Sequence, residues 1–106
     1  MNENSASSSE FLAGALKDRA DATIVGVQSY GKGIVQSVVG LDDGAGMQMT
    51  IAQYYTPNGN AVHKVGITPD VEIKLPAGDN GMYEFGDLAD PQLAKALEII
   101  QQKMTK

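Results

Sequence analysis

The sequence predicts a mixed α and β fold, on three observations. Apolar residues recur at helical spacing near both ends of the chain. β-Branched and apolar runs fill the middle, and clusters of Gly, Asp, Asn and Pro punctuate them. At the N-terminal end, Phe11, Leu12, Ala15 and Leu16 share one helical face behind a polar stretch holding four Ser, which predicts a helix over residues 8–18. Ala22-Thr23-Ile24-Val25, bounded by Asp21 and Gly26, has the composition of a short buried strand. A loop over residues 26–32 follows. From Gly33, the residues Ile34, Val35, Val38 and Val39 predict a second strand, and a third covers residues 47–55. The turn chemistry of Asp42-Asp43-Gly44-Ala45-Gly46 between them predicts a hairpin.

Thr56-Pro57-Asn58-Gly59 reads as another turn, and Ile67-Thr68-Pro69-Asp70-Val71 as extended chain, because proline disfavours helix at the residue before it. Residues 71–75 predict a short edge strand and residues 76–86 a surface loop, within a solvated acidic run that continues to Asp90. Asp90 then caps a final helix with Pro91 at its first position. Leu93, Leu97, Ile100 and Met104 recur along it at spacings of four, three and four.

Composition excludes several classes of function. A chain of 106 residues fits one domain at most, and its apolar share of 42% allows one core. The net charge of −5 leaves no basic stripe for phosphates, which argues against nucleic acid as a partner. Without Cys there is no thiolate chemistry, and the single His63 cannot form a multi-histidine metal cluster, so neither a metal nor another cofactor is expected. His63 reads as an exposed residue and not as part of a Ser-His-Asp triad. No run reaches the roughly 18 to 20 apolar residues of a membrane span, and no signal segment opens the chain. Tyr54 and Tyr55 point to opposite faces at a strand end, one toward the core and one toward solvent.

Three features can carry chemistry, and each has a plain structural reading. Ser7-Ser8-Ser9-Glu10 matches the S-x-x-E capping box, in which the Ser7 hydroxyl accepts from the Glu10 amide and the Glu10 side chain reaches back. Tyr30-Gly31-Lys32-Gly33 reads as a turn with a solvated Lys, and Gln36 as a polar residue on a strand face. The run from Gly26 to Lys32 also spells a phosphate-loop pattern, but Gly33 follows where a Ser or Thr is needed and a strand follows where a helix is needed. Ser29-Tyr30-Gly31-Lys32 spells the S-x-x-K of penicillin-binding enzymes, yet the two glycines around Lys32 argue against the helix that motif requires.

The combination is more specific than its parts. N-E-N-S-A-S-S-S-E from Asn2, a helix containing A-G-A-L, then Y-G-K-G-I-V-Q, A-Q-Y-Y-T-P-N-G and G-I-T-P-D-V-E occur in order. This series resembles the C-terminal processing (tail-specific) serine proteases from Asn2 to about Ile73, and the D-P-Q-L helix start at Asp90 fits as well. The resemblance implies that the chain is the C-terminal portion of a protease domain of crotonase/ClpP-like fold. The PDZ domain and the upstream protease segments would lie outside it. It implies Ser7 as nucleophile, Lys32 as general base, Gln36 as the residue positioning that Lys, and the Ser8 backbone amide in the oxyanion hole. Ser8 stands where the family commonly has Ala, which adds a second hydroxyl beside the nucleophile.

The implied chemistry is physically coherent. A Ser at a helix N-terminus sits beside free amides and the positive end of the helix dipole, where a developing oxyanion is stabilised. A lysine that takes a serine proton must be neutral, whereas an unperturbed lysine of pKa about 10.4 is neutral in only about one molecule in a few thousand at pH 7. Lowering that value by about three corresponds to roughly 4 kcal/mol, which burial can supply. In an extended strand Lys32 and Gln36 face the same side roughly 13 Å apart, and a bend or bulge at Gly33 would shorten the gap. The expected substrates are proteins with flexible C-terminal tails, and the expected placement is extracytoplasmic, periplasmic or membrane-associated. The isolated chain is expected to be inactive. Strand edges exposed by truncation leave a homodimer open. The alternative is a non-catalytic homologue that uses the same scaffold to bind a ligand or partner.

Overall fold

The structure, a computed structural model, describes residues 1–105. Helix α1 (Ser8–Arg19) is followed by strand β1 (Val25–Gly26), the long strands β2 (Ile34–Gly40) and β3 (Gly46–Gln53), strand β4 (Val71–Glu72) and helix α2 (Pro91–Met104). The mixed α and β class expected from the sequence is the one observed.

The elements set by local signals lie where the sequence predicts them. In α2, the Asp90 carboxylate accepts from the amides of Gln92 at 2.9 Å and Leu93 at 3.4 Å, and Pro91 occupies the first turn, where its missing N–H is harmless. Strands β2 and β3 form an antiparallel hairpin closed by Gly40 opposite Gly46. Val35 pairs with Ala52 and Gln36 with Thr50, so Ile51 is an extra residue on β3.

The short strands are set by distant partners. β1 pairs in parallel with β4, Val25 opposite Val71 and Gly26 opposite Glu72. This ladder is shorter and shifted relative to the expected strands over 22–25 and 71–75. The Asp70 carboxylate extends it by accepting from the Ile24 amide at 2.8 Å. On the other side of β1, Met1 donates to the Val25 carbonyl at 2.8 Å and accepts from the Val27 amide at 3.2 Å. Helix α2 packs against β1, and its Gln92 side chain donates to the Ile73 carbonyl at 2.9 Å.

The core is small: Ile24, Val62 and Ile67 are the buried apolar residues among those described. Helix α1 turns an unusual face toward it. Glu10 and Gly14, four residues apart, are its buried positions, and the half-buried Lys17 continues the stripe, donating to the Thr68 carbonyl at 2.6 Å. The apolar stripe faces out, with Leu12 62% exposed and Phe11 and Leu16 also exposed. A compact monomer of 11.2 kDa exposes roughly 5,700 Å²; this chain exposes 7386 Å². Its radius of gyration of 17.3 Å likewise exceeds the roughly 13 Å of a compact domain of this length. In the exposed acidic loop, the Tyr83 hydroxyl donates to Asp79, which pushes the phenol up to about 12.

Candidate active site

Ser7 stands at the N-cap of α1 with φ 57° and ψ −119°, a backbone conformation that non-glycine residues seldom adopt. Such a conformation costs on the order of 1–3 kcal/mol and persists only where the surroundings impose it. In this conformation the Ser7 amide donates to Glu10 Oε2 at 2.9 Å. The reciprocal half of the capping box, in which the Glu10 amide is directed at the Ser7 hydroxyl oxygen, is in place but falls short of a full hydrogen bond. Ser8, the first residue of α1, is exposed where helix amides have no intrahelical partner.

Glu10 does far more than cap. Its side chain is fully buried, at 0% exposure, and accepts four hydrogen bonds. Besides Ser7, these come from the Ser29 hydroxyl at 2.5 Å, the Gly31 amide at 2.5 Å and the Lys32 amide at 2.9 Å. Burial pushes the Glu10 carboxyl up, but the bonds from Ser29, Lys32, Gly31 and Ser7 together outweigh it and hold the group below its ordinary value. Beside this, Tyr30 donates from its amide to the Ser5 carbonyl at 2.9 Å, so the loop over residues 29–32 is strapped along the start of α1.

The glycines around Lys32 have distinct tasks. Gly31 has φ 93°, a left-handed conformation that turns its amide and the next one toward Glu10. Gly33 lies so close to residues 62 and 63 that a Cβ there would sit 2.5 Å from the His63 amide nitrogen and 2.8 Å from the Val62 Cβ. His63 is half-buried, and its Nδ1 receives the Gly33 amide at 3.4 Å. Ser29 fixes the other end of the loop, accepting from the Ile67 amide at 2.7 Å through the oxygen that donates to Glu10.

Of the residues singled out in the sequence, Ser7 and Lys32 are brought together at the backbone through Glu10. The Lys32 side chain is exposed and takes part in no ion pair among the described residues. Gln36 is exposed on β2, and its carbonyl oxygen accepts from the Gln48 side chain across the hairpin at 2.7 Å. An apolar recess of about 360 Å³ borders Ser7 and Ser8 and is lined by Phe11, Leu12, Ala15 and Tyr54. The Phe11 and Tyr54 rings meet edge to face with centroids 4.3 Å apart; Tyr55 is exposed as one of the two tyrosines was expected to be, but Tyr54 is half-buried against the outward face of α1 and does not reach the core. No cluster of three or more potential metal ligands occurs among the described residues.

Sequence reasoning found Glu10 only as half of a capping box. The missed signal was the glycine-flanked loop itself, since consecutive amides turned to one side by a left-handed Gly form a cradle for an anion.

The profile of peptidase family S41 matches residues 1–73. The chain belongs to peptidase family S41. It is 42% identical over 103 residues to the carboxyl-terminal-processing protease of Synechocystis, covering 94% of this chain and 23% of that protein. It is 51% identical over 94 residues to carboxyl-terminal-processing peptidase 2 of Arabidopsis thaliana chloroplasts, covering 89% of this chain and 18% of the relative. Among solved structures, the photosystem II D1 C-terminal processing protease superposes with a TM-score of 0.65 at 48% identity, over 69% of this chain and 19% of that one. The S41 chain therefore spans less than a quarter of the length of these relatives. The S41 match covers α1, the loop that carries Lys32, the hairpin and β4, the elements that build the site described above.

Proposed function

We propose that this chain is the C-terminal portion of the protease domain of a longer serine endopeptidase that cleaves near protein C-termini, with Ser7 as nucleophile, Lys32 as general base and Gln36 as the residue that positions Lys32. The observation that carries the reading is the shared carboxylate oxygen: one atom of Glu10 receives both the Ser7 and the Lys32 amides. The strained Ser7 backbone at a helix start supports it, because strain of this kind is retained where function requires the geometry.

In the reaction so assigned, the neutral Lys32 amine takes the Ser7 hydroxyl proton while the oxygen attacks the scissile carbonyl carbon. The carbonyl oxygen gains the negative charge and is stabilised by amides at the start of α1, Ser8 among them. As the intermediate collapses the C–N bond breaks and the ammonium gives its proton to the leaving nitrogen; water, losing a proton to the same amine, then attacks the acyl carbon, and the ester bond breaks as that proton returns to Ser7 Oγ.

The apolar stripe of α1 and the exposed Lys32 support a longer parent. A lysine base needs shelter from water, and the described residues give Lys32 none, so the isolated chain does not hydrolyse peptides. Relatives named as processing proteases in a cyanobacterium and in chloroplasts support protein substrates with C-terminal tails and an extracytoplasmic or lumenal placement. The test is hydrolysis of a C-terminal tail peptide by the longer protein. Ser7→Ala and Lys32→Ala each reduce it to background, and a wild-type rate in either would overturn the assignment. A protein with Ser7 and Lys32 intact that binds tail peptides without cleaving them would instead be a non-catalytic homologue.

A further inference from the structure

We propose that Glu10 is a positioning residue that acts as a buried anion, holding the Ser7 and Lys32 backbones in the register the reaction needs; this rests on the Ser7–Lys32 reading above. A residue whose whole task is helix capping uses one carboxylate oxygen at the surface. Glu10 uses both oxygens and has no exposed surface. Oε2 joins the two catalytic segments by taking the Ser7 and Lys32 amides, and Oε1 takes Gly31 and the Ser29 hydroxyl, which anchors the loop to residue 67 through the Ile67 amide. No Lys, Arg or His pairs with this carboxylate among the described residues. Its charge is met by oriented dipoles alone, and these dipoles belong to the segments that carry nucleophile and base.

The arrangement is specific for a carboxylate. Three of the four partners are backbone amides that can only donate, so an NH₂ group in the place of Oε2 sets donor against donor at Ser7 and Lys32, and one in the place of Oε1 does so at Gly31, where the Ser29 hydroxyl alone can turn and accept. A side chain shorter by one methylene cannot reach both segments from the same helix position. In a Glu10 variant Ser7 and Lys32 lose their common anchor, while α1 keeps its bonds from Lys17 to the Thr68 carbonyl and from the Asn58 amide to Asp18.

The experiment uses the longer protein and four variants: Glu10→Gln, Ser29→Ala, Ser7→Ala and Lys32→Ala. Steady-state hydrolysis of a tail peptide gives kcat and KM, a fluorophosphonate gives the rate of modification of the nucleophile, and thermal melts report folding. Glu10→Gln is expected to lower kcat about 100-fold with KM nearly unchanged, and to slow fluorophosphonate modification by a similar factor, as misplacement of about 1 Å does. Ser29→Ala, which removes one donor and keeps the carboxylate, is expected to slow modification about 10-fold and covers the case in which Glu10→Gln does not fold. Wild-type kcat in folded Glu10→Gln, or a wild-type modification rate in Ser29→Ala, overturns the inference. If Ser7→Ala and Lys32→Ala themselves retain activity, the catalytic reading fails and this inference fails with it. If they are dead while the Glu10 and Ser29 variants are unaffected, the inference alone fails.

Discussion

The backbone amides of Ser7 and Lys32 donate to one atom, Glu10 Oε2, each at 2.9 Å. Two nitrogens bonded to a common oxygen lie no more than about 5.8 Å apart, twice that distance. A helix start and a glycine-flanked loop distant in sequence are thereby locked side by side, so contacts in the loop bear on the geometry at Ser7.

The first consequence is a dependence of stability on acid. Hydrogen bonds hold the Glu10 carboxyl below its ordinary value of 4.5 despite the opposing effect of burial. A group with a lowered folded-state pKa contributes stability that is complete above its unfolded value and is lost as pH falls through the folded one. Thermal melts of wild type and Glu10→Gln in the longer protein are expected to differ most near neutral pH. The gap should narrow as pH falls below about 4.5. A gap that stays constant, or widens in acid, contradicts the charged state assigned to Glu10.

Gly33→Ala places a methyl group 2.5 Å from the His63 nitrogen and 2.8 Å from Val62 Cβ. Neither neighbour is a flexible chain end, so the backbone of the loop or of residues 62–63 must shift. Destabilisation of about 1–3 kcal/mol is expected for overpacking of this kind. Denaturant titration measures it, and an unchanged midpoint would refute the close approach.

At the other end of the chain, Asp90→Ala removes the side chain that receives the Gln92 and Leu93 amides. Loss of such a cap costs about 1 kcal/mol, since Pro91 keeps the chain entering the helix but supplies no acceptor. Circular dichroism should show earlier melting of the helical signal in Asp90→Ala than in Asp90→Asn. Equal melting of the two would show that the cap contributes nothing.

How legible the fold was followed from how local its determinants are. Helix α2 was readable because Asp90, Pro91 and its apolar spacing all lie within the element. The hairpin was readable from a turn bracketed by two β-forming runs. β1 and β4 were mislaid by a few residues because two-residue parallel strands exist only through their pairing, which no local pattern records. The apolar spacing of α1 identified a helix correctly, yet the face turned inward is Glu10 and Gly14, because burial is set by what the helix packs against. In the candidate site, motif order singled out Ser7, Lys32 and Gln36, and the fold brings the Ser7 and Lys32 backbones to one carboxylate oxygen. The role of Glu10 was not legible, because the same S-x-x-E spelling serves an ordinary cap and a four-bond anchor, and the bonds to Ser29, Gly31 and Lys32 arise only when the loop folds back.

The proposed function stands on Ser7 as the nucleophile activated by Lys32, among four neighbouring serines that could compete. Its most direct test is to treat the longer protein with a fluorophosphonate and locate the adduct by mass spectrometry, in wild type and in Lys32→Ala. A single adduct on Ser7 is expected in wild type and none in Lys32→Ala. An adduct on Ser5, Ser8 or Ser9, or undiminished labelling of Ser7 without Lys32, would contradict it.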